Sequence, residues 1–153
     1  MMQDVNTNIV TAAKEWASAK VCFRHRGISR SGCDCSGFFV GILKELGYIP
    51  KYRLRDYAED FNLHNGADEY LTECLLQLCD TINKKQLVPG NIITFKYGRC
   101  VSHLGIIIKP PIFAHAYKWA GRVALSSIQS GEFKKRLAGC YQINMDKMAV
   151  YNG

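Results

Sequence analysis

Two periodicities divide the chain. In the first half, apolar residues recur three and four positions apart, the spacing of one helix face. Ile9, Ala12, Ala13 and Trp16 form one such stripe, Phe38, Phe39, Ile42, Leu43 and Leu46 a second, and Tyr70, Leu71, Cys74, Leu75 and Leu78 a third. Asn8 stands where an N-cap would open the first helix, which should end near Lys20. The second should start at about Cys35 and stop at Gly47, with Pro50 beyond. Gly66 precedes the third. A loop rich in Gly, Ser and Arg spans 26–32, and 51–65 is ambiguous, with a short helix expected around 56–61.

The pattern changes at Pro89-Gly90, a turn signal. Short apolar runs follow at 92–95, 104–108, 112–117, 123–126 and 139–143, bounded by Gly, Pro or charge. They read as strands of an antiparallel sheet, with Pro110-Pro111 in one hairpin connection. Helices first and strands afterwards predict an α+β fold rather than βαβ winding. No repeat or linker interrupts the chain, so residues 1–153 are read as a single domain.

Composition changes this picture little. Hydrophobic residues make up 48% and charged ones 22%, as in a globular protein. The net charge of +7 favours anionic partners. Its basic residues are scattered, with short clusters at Arg24-His25-Arg26, Lys84-Lys85 and Lys134-Lys135-Arg136. No basic helix face carries interleaved aromatics, which argues against nucleic acid. No apolar stretch approaches the ~20 residues that span a bilayer. The start, Met1-Met2-Gln3-Asp4-Val5-Asn6, lacks the basic and apolar regions of a signal peptide. With an odd count of seven cysteines, this predicts synthesis in a reducing cytoplasm, free thiols and no structural disulfide. An external target would then be reached by another route.

The chemistry concentrates at Gly32-Cys33-Asp34-Cys35-Ser36-Gly37-Phe38. Cys35 stands where a loop becomes a helix. The N–H groups and positive dipole end there favour thiolate, the nucleophilic form. Such a cysteine needs a base, and a third group to orient the base. Of four histidines, His103 opens the run Leu104-Gly105-Ile106-Ile107-Ile108, and His115 lies twelve residues on. Adjacent antiparallel strands would set the two imidazoles side by side. The expected set is therefore Cys35 as nucleophile, His103 within hydrogen-bond reach of its sulfur as base, and His115 beyond it as orienting group. Taken alone, a cysteine is more often a small buried hydrophobe, and a strand histidine more often a satisfied core or surface residue. A zinc site on Cys33 and Cys35 lacks a completing pair, and Cys74 and Cys79 are five apart, so no metal is expected. No phosphate-loop or dinucleotide pattern is present, so no cofactor is implied. His25 and Arg26 belong either to a substrate contact or to a solvated loop.

The motifs Asp34-Cys35-Ser36-Gly37, Leu87-Val88-Pro89-Gly90-Asn91-Ile92-Ile93, Ser102-His103-Leu104-Gly105-Ile106 and Ile112-Phe113-Ala114-His115-Ala116 resemble, in order and spacing, those of NlpC/P60 cysteine peptidases. The likeness runs from about Cys22 to Ile143. The segments Phe23-Arg24-His25-Arg26-Gly27, Arg122-Val123 and Lys135-Arg136-Leu137-Ala138-Gly139 are similar to the phage-type branch of tail-associated wall peptidases. The resemblance implies a papain-like α+β fold and hydrolysis of γ-D-glutamyl–diaminopimelate bonds in peptidoglycan stem peptides. It implies catalysis by Cys35, His103 and His115, and substrate contacts from Asp34 and Ser36. It also implies action at the cell wall after delivery by a virion or lysis, with phage tail proteins as partners. Two positions depart from the family pattern. Phe23 stands where many members carry a Tyr assigned to the oxyanion site, and Asn91 replaces an Asp in the Pro-Gly turn. Two rival readings stay open: an idle structural or assembly protein of a phage tail, and a thiol amidase or acyltransferase on a non-wall substrate.

Overall fold

The computed structural model describes residues 2–58 and 69–153. His64 and residues 59–61 of the helix expected around 56–61 lie outside the described residues; 56–58 are not helical. Helix α1 spans Met2–Ser18 and buries Ile9, Ala12, Ala13 and Trp16 as the stripe predicts. Asn8 does not cap it. The apolar face begins earlier, at the buried Val5, so Asn8 falls inside the helix and its Nδ2 donates to Tyr48 Oη at 2.9 Å. The helix closes with Lys20 in the left-handed region, φ 52°.

Helix α2, Cys35–Glu45, is buried from Cys35 through Leu43. A helix sunk this deeply cannot leave its first N–H groups to water, and Asp34 supplies the cap by accepting from the Gly37 amide. Gly47, φ 80°, ends the last turn. Helix α3, Tyr70–Leu78, buries the five residues of its predicted face and runs directly into strand β3, Cys79–Thr81.

The main sheet has six strands in the order β3-β8-β4-β5-β6-β7. The strands β4 (Ile92–Tyr97), β5 (Cys100–Lys109), β6 (Ile112–Tyr117), β7 (Arg122–Ser127) and β8 (Leu137–Ile143) contain all five predicted runs. All neighbours are antiparallel. A two-stranded ribbon, β1 (Ile28–Ser29) with β2 (Gly32–Cys33), precedes α2. Leu104, Ile106, Ala114 and Ala116 face the core made with α1–α3. Ile93, Phe95, Ile107 and Phe113 face a second core, closed by Phe133 of α4, Gly131–Arg136. Covering on both faces explains why the strand sequences are apolar runs rather than alternations. A short α5, Met145–Ala149, follows β8. Among the described residues no helix is long and apolar enough to cross a membrane.

One irregularity positions the site. The β5–β6 pairs run Lys109↔Ile112, Ile107↔Phe113 and Ile106↔Ala114, and stop. Beyond them β5 follows β4 as far as Tyr97↔Cys100, while β6 follows β7 as far as Tyr117↔Arg122. The two central strands therefore part. His103 lies in this region, in the body of β5 rather than at its start, because the strand begins at Cys100.

Helix α2 approaches the ribbon so closely that a Cβ on Gly41 would run into the Ile28 carbonyl. Gly41→Ala should therefore lower stability in urea unfolding by about 1–3 kcal/mol, the cost of overpacking. Alanine is the better helix former by about 1 kcal/mol, so an unchanged or raised midpoint would show that the contact relaxes.

Candidate active site

The start of α2 is built around one carboxylate. Asp34 is buried, and its oxygens accept from the Gly37 amide (2.9 Å), the Arg26 amide (2.8 Å) and the Tyr57 hydroxyl. The Ser36 hydroxyl lies 3.3 Å from Oδ1, and His25 Nδ1 is 3.9 Å from Oδ2. Ser36 is fully buried, also 3.2 Å from the hydroxyls of Tyr57 and Tyr70, whose rings stack at 4.0 Å. The partners of Ser36 in this structure are internal. Tyr57 and Tyr70 were hidden from sequence reasoning. Tyr57 sits in a stretch without periodicity, and Tyr70 reads as one more apolar position on α3.

Cys35 enters the opening between β5 and β6. Its thiol donates to the Ser102 carbonyl at 3.7 Å, and the amides of Leu104 and Ser36 bear on the sulfur. No hydrogen bond joins it to His103. The expected direct link is replaced by contact with the strand segment that carries His103. Burial pushes the thiol pKa up, and the adjacent Asp34 carboxylate pushes it further, against the pull of the two amides. The expectation of a resting thiolate is therefore reversed: loss of water and a neighbouring negative charge outweigh the favourable groups at the helix start.

The histidines lie together, as predicted. His103 Nε2 is 2.7 Å from His115 Nδ1, and His115 Nε2 is 2.9 Å from Ser126 Oγ. His115 is fully buried, stacked on Tyr117 at 4.7 Å and flanked by Phe113 and Phe133. Burial draws the His103 pKa down to about 4. His115 falls lower still, from burial and then from His103 beside it. Both rings are neutral near pH 7. Helix α4 clamps this face: Glu132 accepts from the hydroxyls of Tyr97 (2.8 Å) and Tyr117 (3.2 Å), and the Arg136 guanidinium lies 4.4 Å over Tyr97. Ser126 gave no signal in the sequence, being one of two serines closing an ordinary strand.

Phe23 is half-buried and bridged to Cys33, so an aromatic ring without a hydroxyl lies just ahead of the Cys35 turn. Asn91 does more than shape its turn: it accepts from the Val88 amide at 2.9 Å and donates to Gln142 of β8 at 2.7 Å. All seven cysteines are free, and Cys22 is the exposed one. Among the described residues, no three His, Cys, Asp or Glu side chains converge to hold a metal ion.

Two predictions follow from this electrostatic state. The unfolded imidazole near 6.5 binds protons that the folded one, near 4, refuses. Stability held above about pH 6.5 should therefore fall as pH drops toward 4. In His103→Gln, the fall in urea midpoint between about pH 7 and pH 5 should be smaller; an identical fall would assign it to other groups. In the resting protein, limiting iodoacetamide should label exposed Cys22 ahead of Cys35, with Cys35 labelling rising toward alkaline pH. Peptide mass mapping reads the order, and preferential Cys35 labelling near pH 7 would indicate a thiolate.

Comparison with known proteins agrees with this architecture. The murein DD-endopeptidase MepS/murein LD-carboxypeptidase of Escherichia coli K12 is 26% identical over 133 residues, 87% of this chain and 60% of that protein. The chain thus spans about 60% of the length of that relative. A Staphylococcus aureus protein of the NLP/P60 family superposes with a TM-score of 0.64 at 18% identity, over 92% of this chain and 41% of that one. The NlpC/p60 domain of the peptidoglycan hydrolase SagA gives 0.61 at 17% identity, over 90% and 98%. These likenesses establish the papain-like α+β fold. The NlpC/P60 family profile matches residues 20–142, from the end of α1 into β8 and across the whole site, and the chain belongs to that family.

Proposed function

We propose that this chain is a cysteine peptidase that hydrolyses an amide bond in peptidoglycan stem peptides. The observation that carries the reading is the seating of the Cys35 sulfur against the backbone of 102–104, beside a His103–His115 pair joined at 2.7 Å. Cys35 is the nucleophile, His103 the base and His115 the orienting group. The resting thiol and neutral imidazole make proton transfer part of the attack. As the substrate carbonyl arrives, the thiol leaves Ser102 and its proton passes to His103 Nδ1 while sulfur bonds to carbon. The backbone N–H of Cys35, at the start of α2, stabilises the oxyanion in place of the hydroxyl missing at Phe23. Protonated His103 then gives its proton to the leaving amine. Water, deprotonated by His103, cleaves the thioester and restores the thiol. No cofactor takes part.

The bond proposed is γ-D-glutamyl–diaminopimelate, on the strength of the motif resemblance. The name of the Escherichia coli relative favours a second reading, cleavage at a D,D bond. Asp34, held by its internal donors, would offer negative charge to a stem-peptide amine. The basic surface suits an anionic wall. We assign the chain to the phage-type branch, acting on the wall through a virion or lysis alongside tail proteins.

Digestion of purified peptidoglycan with mass analysis of released fragments tests the activity and separates the two bonds. Cys35→Ala should reduce release to background and His103→Ala by about 10²–10⁴-fold. His115→Ala should lose less than His103→Ala, and His115→Asn or His115→Gln less again, with matched thermal melts. Release by Cys35→Ala at the wild-type rate would replace this reading with that of a structural tail protein. Activity confined to non-wall amides would favour the amidase or acyltransferase.

A further inference from the structure

We infer that Ser126 is a positioning residue of the site, one that sets the proton arrangement of His115 and, through it, of His103. The inference rests on reading Cys35 as nucleophile and His103 as base. Its ground is a continuous chain of contacts: His103 Nε2 to His115 Nδ1 at 2.7 Å, then His115 Nε2 to Ser126 Oγ at 2.9 Å. Strand register produces it. His115 stands opposite Ala124, so Ser126, two residues along β7, is its diagonal neighbour on the same face. Ala124 has no polar side-chain atom to compete, and the buried His115 ring is fixed between Tyr117, Phe113 and Phe133.

A neutral imidazole carries one N–H, so the chain admits two proton arrangements. In the first, His103 Nε2–H donates to His115 Nδ1, and His115 Nε2–H donates to Ser126 Oγ. His103 Nδ1 is then bare and can accept the Cys35 proton. In the second, the Ser126 hydroxyl donates to His115 Nε2, and His115 Nδ1–H donates to His103 Nε2. His103 Nδ1 then carries its own proton and cannot act as base. The choice is made at the serine. In the competent arrangement Ser126 Oγ is the acceptor; without the hydroxyl, His115 Nε2 loses its partner in either arrangement and neither is held. Ser126 moves no proton itself and touches no substrate.

The experiment compares Ser126→Ala and Ser126→Thr with wild type on soluble stem peptide, with thermal melts and ¹⁵N NMR of imidazole-labelled protein. Ser126→Ala should lower kcat by about tenfold with KM unchanged, as expected for loss of one orienting hydrogen bond. Ser126→Thr, which keeps the hydroxyl, should restore it. The ¹⁵N shifts should show His103 protonated at Nε2 in wild type and Ser126→Thr, and a mixture of tautomers in Ser126→Ala. Wild-type kcat and tautomer in Ser126→Ala would overturn the proposal. So would a lowered kcat that Ser126→Thr does not rescue and that leaves the tautomer unmoved. Failure of the underlying reading is seen separately, as retained activity in Cys35→Ala, while the NMR still reports the tautomer.

Discussion

Past Ile106 and Ala114, the edge of β5 that faces β6 loses its strand partner, and the start of α2 takes the vacated place. The backbone explains why a sulfur fits there. Ile107 exchanges hydrogen bonds with Gly90 and Asn91 on the β4 side, so the alternate positions, 102 and 104, point toward β6. With β6 gone, the Ser102 carbonyl and Leu104 amide need partners, and leaving such groups buried and unmet costs about 1–3 kcal/mol each. The Cys35 thiol donates to one and its sulfur receives the other. The Cys35 sulfur is thus held by the same requirement that holds a sheet together.

That seat has a second condition. A helix whose first residues replace a strand partner has its N-terminus inside the protein, so its orphan amides need an internal acceptor. Asp34 meets the need, and being charged it also gathers the Arg26 amide and the Tyr57 hydroxyl. The consequence runs against nucleophilicity, since a carboxylate next in sequence raises the pKa of the buried thiol. The histidines answer from the other direction. Burial makes them reluctant to hold a second proton, so they rest neutral, with a lone pair available. Thiol and imidazoles are all uncharged in the resting protein, and no ion pair has to be kept in a dry site.

The elements legible in the sequence were those long enough to show a period. Three helical stripes and five apolar runs sit where the spacing places them, and the order of helices before strands carried the fold class. Strands β1, β2 and β3 and helices α4 and α5 have two to six residues each and express no period. Asn8 misled because a capping residue at a stripe's edge looks the same whether the helix begins there or has already begun; Val5 decides. His103 and His115 were legible as neighbours because side-chain alternation and a hairpin fix their placement. The state of the thiol was not, because local sequence shows the helix start but not the burial that outweighs it. Ser126 was invisible for a related reason: its importance is a matter of register across β6 and β7, and a strand sequence does not state its diagonal partner.

The two cores give this arrangement its sensitivity. Cys35 belongs to the core between helices and sheet, while His103 and His115 lie among Phe95, Phe113, Tyr117 and Phe133 on the opposite side. A continuous sheet would separate the Cys35 sulfur from the two imidazoles. The parting of β5 and β6 is where they can meet, and each side fixes its own half independently. Asp34 and the Tyr57–Tyr70 stack set the helix start, while Glu132, bound to Tyr97 and Tyr117, holds α4 over the imidazoles. The distance between the Cys35 sulfur and the His103 ring is therefore set by two separately packed layers. An error of about 1 Å in such a distance can cost about 10²-fold in rate. Under the proposed mechanism, Asp34 with its donors on one side and Glu132 with Tyr97 and Tyr117 on the other would hold that distance.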